Sequence, residues 1–212
     1  MEIVTVQLVV QGISLVSDVK SLTGNKSVLS KMTNGNLESA FWRFTHLYGI
    51  LMPAGTGKTQ IVKNLHGKDF LLIDCDALTI GSYRNDEERN HIEGFKARGE
   101  LSTYMALTFG RAKEIIQKLA EDFASKKLII VTSSKDLADY LNIRAGNRLT
   151  LCPSGVLVES MTRDKPPAET EVFKAGISSY KLAAPDYVCY ESFESLHTKV
   201  TKFFGKGLKL RV

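Results

Sequence analysis

The chain has little of what would mark it as a secreted or membrane protein. Its 212 residues hold three cysteines, Cys75, Cys152 and Cys189. Their scatter matches neither a zinc spacing nor a disulfide framework. Each lies in or at the end of an apolar run, so buried free thiols in a reducing compartment are expected. No apolar run is long enough to read as a transmembrane helix. Residues 3–10 are apolar, but Glu2 and Gln7 and the lack of a basic leader argue against a signal peptide. These absences predict a cytoplasmic protein without membrane contact. Repeats and low-complexity blocks are missing too, and with them the architectures built on such repetition. There is no strong charge excess either. A net charge of +5 permits nucleic-acid contact through basic residues but does not require it. What remains is an ordinary globular composition, 43% hydrophobic and 24% charged, at a length that suits one α/β domain with an extension.

The informative stretch is residues 47–60, Leu-Tyr-Gly-Ile-Leu-Met-Pro-Ala-Gly-Thr-Gly-Lys-Thr-Gln. An apolar run breaks at Pro53 into a small-residue turn, and Ile61, Val62 and Leu65 then recur at helical spacing. Strand, glycine turn and helix in that order form a phosphate-binding loop. Gly55 and Gly57 let the backbone turn its N–H groups inward at a helix start. Lys58 would reach the β- and γ-phosphates and Thr59 would hold Mg²⁺. Pro53, Ala54, Gly55, Thr56, Gly57, Lys58, Thr59 and Gln60 are therefore the candidate nucleotide contacts, with ATP and Mg²⁺ as cofactors. One position departs from the full motif, which wants glycine where this chain has Met52. A glycine turn capping an ordinary helix is the competing reading.

Strands and helices alternate after residue 46. Apolar runs at 69–75, 128–131, 148–152 and 186–190 read as strands, and Ser134 and Ser192 as helix caps. Ser102 is expected to cap a long helix through residue 124. Such alternation implies a parallel sheet with helices on both faces. Binding groups should gather at the strand ends, residues 53–59, 74–76, 132–134 and 153–165, all of them polar or rich in Gly and Pro. At the second of these, Asp74 could hold water on Mg²⁺ and Asp76 could bind or deprotonate an acceptor hydroxyl. No carboxylate ends the 128–131 strand, which makes Asp74 the more important metal candidate. Residues 77–100 are highly charged, mostly a solvated helix with loops, though Arg84, Arg89 and Arg98 are placed to meet an anion. His91 has no visible partner. In residues 1–46 a strand is expected at 2–10 and a helix at 37–44, with Trp42 beside its apolar face; this segment is taken as an extension packing on the core. The basic tail of Lys199, Lys202, Lys206, Lys209 and Arg211 fits a helix C-terminus or a nucleic-acid contact.

With these elements placed, residues 47–204 resemble the P-loop kinases of the nucleoside-monophosphate and shikimate kinase type. The resemblance rests on Gly55-Thr56-Gly57-Lys58-Thr59, on the strand ending Asp74-Cys75-Asp76, and on Ala184-Pro185-Asp186-Tyr187-Val188 followed by a helix. It implies a three-layer sandwich with about five parallel strands and the phosphate-loop strand in the middle. It also implies Asp74 near Mg²⁺, Asp76 on the acceptor, and Arg163, with Lys165 nearby, in a lid over the phosphates. The domain division that follows is 1–46 and 47–212. Two functions stay open: an ATP-dependent phosphotransferase acting on a hydroxyl or phosphate acceptor (a nucleotide, a nucleic-acid end or a small metabolite), and a nucleotide-binding accessory protein, viral or nucleic-acid-associated, with slow hydrolysis or none.

Overall fold

A computed structural model of the chain describes residues 8–10, 13–15, 47–75, 78, 83, 85–205 and 208–210. In chain order its elements are β1 (Leu8–Val10), β2 (Ile13–Leu15), β3 (Leu47–Leu51), α1 (Lys58–Asn64), β4 (Leu65–His66), β5 (Phe70–Asp74), α2 (Asp86–Ala97) and α3 (Leu101–Asp122). They continue with β6 (Lys127–Thr132), α4 (Lys135–Tyr140), a 3-10 turn (Ala145–Asn147), β7 (Arg148–Pro153), α5 (Gly155–Thr162), α6 (Pro167–Ala183), β8 (Val188–Tyr190), α7 (Phe193–Phe204) and β9 (Lys209–Leu210). Five strands form one sheet in the order β5-β6-β3-β7-β8, with every pair parallel. The fold is α/β, and the strand that leads into the 53–59 loop is central.

The inner strands are apolar on both faces, as a parallel sheet covered by helices requires. Alternate side chains point to opposite sides. Leu51, Ile73 and Ile130 pack with Ala112, Ile116 and Leu119 of α3 and Leu137 of α4. Ile50, Leu72 and Ile129 pack on the other face with Ile61 and Val62 of α1 and Leu196 and Val200 of α7. A third cluster, Cys152, Val158 and Ile177, ties α5 and α6 to β7. The result is three layers. The chain leaves β3 for α1 on one face and leaves β6 for α4 on the other, so a crevice opens between their C-terminal ends.

Caps fall where short polar side chains permit them. Ser134 accepts from Leu137 N–H, and Ser192 forms a reciprocal capping box with Ser195. Several local expectations are corrected. The long helix starts at Leu101 behind Glu100, so Ser102 lies inside its first turn and caps nothing. Helix α1 stops at Asn64 because Leu65–His66 pairs as a strand with Lys209–Leu210, which draws part of the basic tail into a small antiparallel ladder. Cys75 and Cys152 are buried, whereas Cys189 is exposed, because β8 is an edge strand. On α7 Phe204 packs on the core, whereas Phe203 is exposed. Of residues 1–46 only the antiparallel β1–β2 hairpin falls within the described residues. The helix expected at 37–44, with Trp42, lies outside them. None of the described helices is long and apolar enough to cross a membrane.

Candidate functional site

The loop that leaves β3 is built on two glycines in the left-handed region, Gly55 (φ 73°) and Gly57 (φ 108°), where an L side chain is strained. A side chain at either would press on an aromatic ring. A Cβ on Gly57 would lie 2.7 Å from Phe193 Cε1, and one on Gly55 would lie 3.1 Å from Phe173 Cε2. Polar contacts fix the rest of the loop. Thr56 Oγ1 donates to the Pro53 carbonyl at 2.7 Å, and Lys58 Nζ donates to the same oxygen at 3.2 Å. Lys58 is only 6% exposed, so its ammonium is held against the loop instead of reaching into solvent. From the end of β8, the Tyr190 hydroxyl donates to the Thr56 carbonyl at 2.7 Å. Burial pushes the Tyr190 phenol up to about 12, which keeps that donor protonated at neutral pH.

Across the strand ends, Thr59 Oγ1 donates to Asp74 Oδ2 at 3.2 Å. Strand β6 lies between the strands that deliver these two residues, and Asp74 is in register with Val131 on it. A hydroxyl and a carboxylate at this spacing are two oxygen donors of the kind a hard divalent cation selects. Met52, the departure from the motif, is fully buried among Ile50, Ile61 and Val62, and its amide donates to the Thr132 carbonyl at 3.0 Å. Its side chain therefore fills the core beneath the loop and does not occupy the loop.

Beside the loop, on the face carrying α6, runs an open groove of ≈ 780 Å³. Pro53, Ala54 and Gly55 form one wall and Phe173, Ile177 and Tyr180 of α6 another, with Ser133 at the end of β6. Lys165 and Glu169 are its charged residues. Lys165 Nζ stands over the Phe173 ring, 5.8 Å from its centre. Helix α6 is anchored to α5 by the Lys174–Glu159 ion pair at 2.6 Å.

Thr59 and Asp74 thus meet at the strand ends, Lys58 bonds back to Pro53, and Pro53, Ala54 and Gly55 form the loop wall. Gln60 faces outward and accepts from Asn64. Arg163 is exposed at the C-terminal end of α5, and it is Lys165 that lines the groove. Arg89 and Arg98 lie on or beside α2 in exposed ion pairs with Asp86 and Glu100. His91 is exposed on the same helix, edge-on to Phe95. Asp76 and Arg84 lie outside the described residues. Sequence reasoning missed Tyr190, Phe173 and Phe193 as supports of the loop, and nothing local marks them. It also passed over Gly176, an isolated glycine inside an apolar helical pattern, which is a recognisable signal. No family model, no curated protein and no solved structure matches this chain, so its site stands on its own residues.

Proposed function

We propose that this protein is an ATP-dependent phosphotransferase of the P-loop kinase type, passing a phosphoryl group from ATP·Mg²⁺ to a hydroxyl or phosphate acceptor. The observation that carries the reading is the 3.2 Å contact between Thr59 Oγ1 and Asp74 Oδ2 at the foot of a loop that folds Lys58 over itself. Thr59 and Asp74 would hold Mg²⁺, whose charge would offset that of the β- and γ-phosphates. Lys58 and the loop amides would stabilise charge developing on the transferred group. For a hydroxyl acceptor, its oxygen forms a bond to the γ-phosphorus while the bond to the β,γ-bridging oxygen breaks. ADP leaves with that electron pair, and the hydroxyl proton passes to the Asp76 carboxylate. Arg163 would close over the γ-phosphate.

The test is titration with a fluorescent ATP analogue and Mg²⁺. Lys58→Ala should weaken binding about 100-fold through loss of its charge-assisted contacts. Equal affinity in the variant would sink the reading at its root. Turnover of γ-labelled ATP with acceptor pools, compared with Asp76→Asn, then separates transfer from binding. Binding without transfer would leave a nucleotide-binding accessory protein.

A further inference from the structure

The groove beside the loop has a lining that suits some ligand chemistries better than others. Its walls are almost wholly apolar: Ala54 on the loop, and Val172, Phe173 and Ile177 on α6. A polyol or a polyhydroxy acid needs several convergent polar side chains. A nucleic-acid strand needs a track of cations for its phosphates. Its side chains supply neither, since Lys165 is offset by Glu169 and Ser133 is a single hydroxyl. The Tyr180 ring also lines the groove, but its hydroxyl is buried, with no hydrogen-bond partner among the described residues, so it does not serve the groove as a polar group.

A second observation points to a ligand. Gly176 sits within the seventeen-residue helix α6 and lines the groove, and a Cβ built on it meets nothing within 4 Å. Its φ is not in the left-handed region, so the backbone does not require glycine there. Glycine inside a helix costs stability relative to alanine, and here the exposed position leaves open space along the groove. The Phe173 ring lies against Gly55, so anything seated on it is next to the loop.

We propose that the groove is the acceptor site and that the acceptor is a neutral alcohol carried on a flat apolar or aromatic ring. The ring lies on Phe173 in the space left by Gly176, and Ser133, Lys165 and Glu169 orient the polar substituents. The assignment of the bound molecule as acceptor rests on the phosphotransferase reading above; the chemistry of the groove does not.

The experiment measures binding to the full-length protein by saturation-transfer NMR and calorimetry. Thymidine, adenosine and benzyl alcohol are the ring-bearing probes, glycerol and ribose the polyols, and thymidine 5′-monophosphate the anion. The ring-bearing alcohols should bind at least 10-fold more tightly than the polyols and the anion. Gly176→Phe, which fills the space, should remove that binding, with Gly176→Leu as a smaller second filler; unchanged or raised melting temperatures would show that both variants fold. Preference for the polyols or the monophosphate, or ring binding unaltered by both fillers in folded protein, would overturn the proposal. Failure of the fluorescent ATP analogue to bind wild-type protein that still takes ring alcohols would remove only the kinase reading. The reverse result would remove only this one.

Discussion

Two walls of one crevice are built on opposite terms. The loop wall is crowded: Gly55 and Gly57 are pressed by aromatic rings and hold backbone angles that an L side chain resists. The α6 wall is open, and its Gly176 has an ordinary backbone angle and nothing near it. Glycine is required in the first case by conformation, whereas in the second neither backbone nor neighbours demand it. A loop over-determined by Phe193, Phe173 and Tyr190 is pre-organised, so on the proposed phosphotransferase reading little ordering cost would attend phosphate binding. The groove, by contrast, is shaped for a guest whose own surface completes the packing.

That contrast can be broken most forcefully at Gly57. The Phe193 ring, 41% exposed, can swing aside, but the φ of 108° cannot be relieved locally. Gly57→Ala should cost about 2 kcal/mol, read as a lower urea midpoint at unchanged slope. A midpoint equal to wild type would mean that the loop is not held as described. Tyr190→Phe comes next. It leaves the Thr56 carbonyl buried without its donor, at about 1.5 kcal/mol, and it should weaken binding of the ATP analogue. Stability lost with nucleotide affinity untouched would make Tyr190 a core residue only.

On the open wall the sign reverses. Gly176→Ala should stabilise by about 1 kcal/mol, because a methyl fits the space and the helix gains. A loss of stability would show a hidden contact at that position. The smallest effect concerns α7, which delivers Phe193 to the loop. His197 on this helix is 8% exposed, and burial lowers its pKa from the ordinary 6.5. As pH falls below 6.5 the unfolded chain takes up the proton before the folded one does. The contribution of His197 is therefore complete above that pH and lost on acidification towards the folded value. Urea midpoints at pH 7 and pH 5 should show this decline, and His197→Leu should flatten it. A variant with the same decline would assign it to other groups.

Much of the arrangement was legible because its chemistry is local. Ser134 and Ser192 bond to amides three positions away, and Lys58 and Thr56 bond back to Pro53 within a single turn of chain. The apolar runs at residues 69–75 and 128–131 needed only their neighbours to read as strands. Illegible were features that depend on which strand lies beside which. Cys189 occupies an apolar run like the other cysteines, yet it is exposed because β8 is at the sheet edge. Met52 departs from the motif in the sequence, and only the core beneath the loop shows where its side chain goes.

By itself, then, the sequence determined the alternation of strands and helices, the Ser134 and Ser192 caps, and the residues of the loop, since periodicity and short-range hydrogen bonding act over a few positions. The tertiary structure alone decided that Thr59 meets Asp74 fifteen residues on, that Tyr190 reaches Thr56 across 134 residues, and that Gly176 faces open space. Those contacts follow from strand order and from the pairing of helix faces, which are set by packing of the whole sheet and not by any one segment.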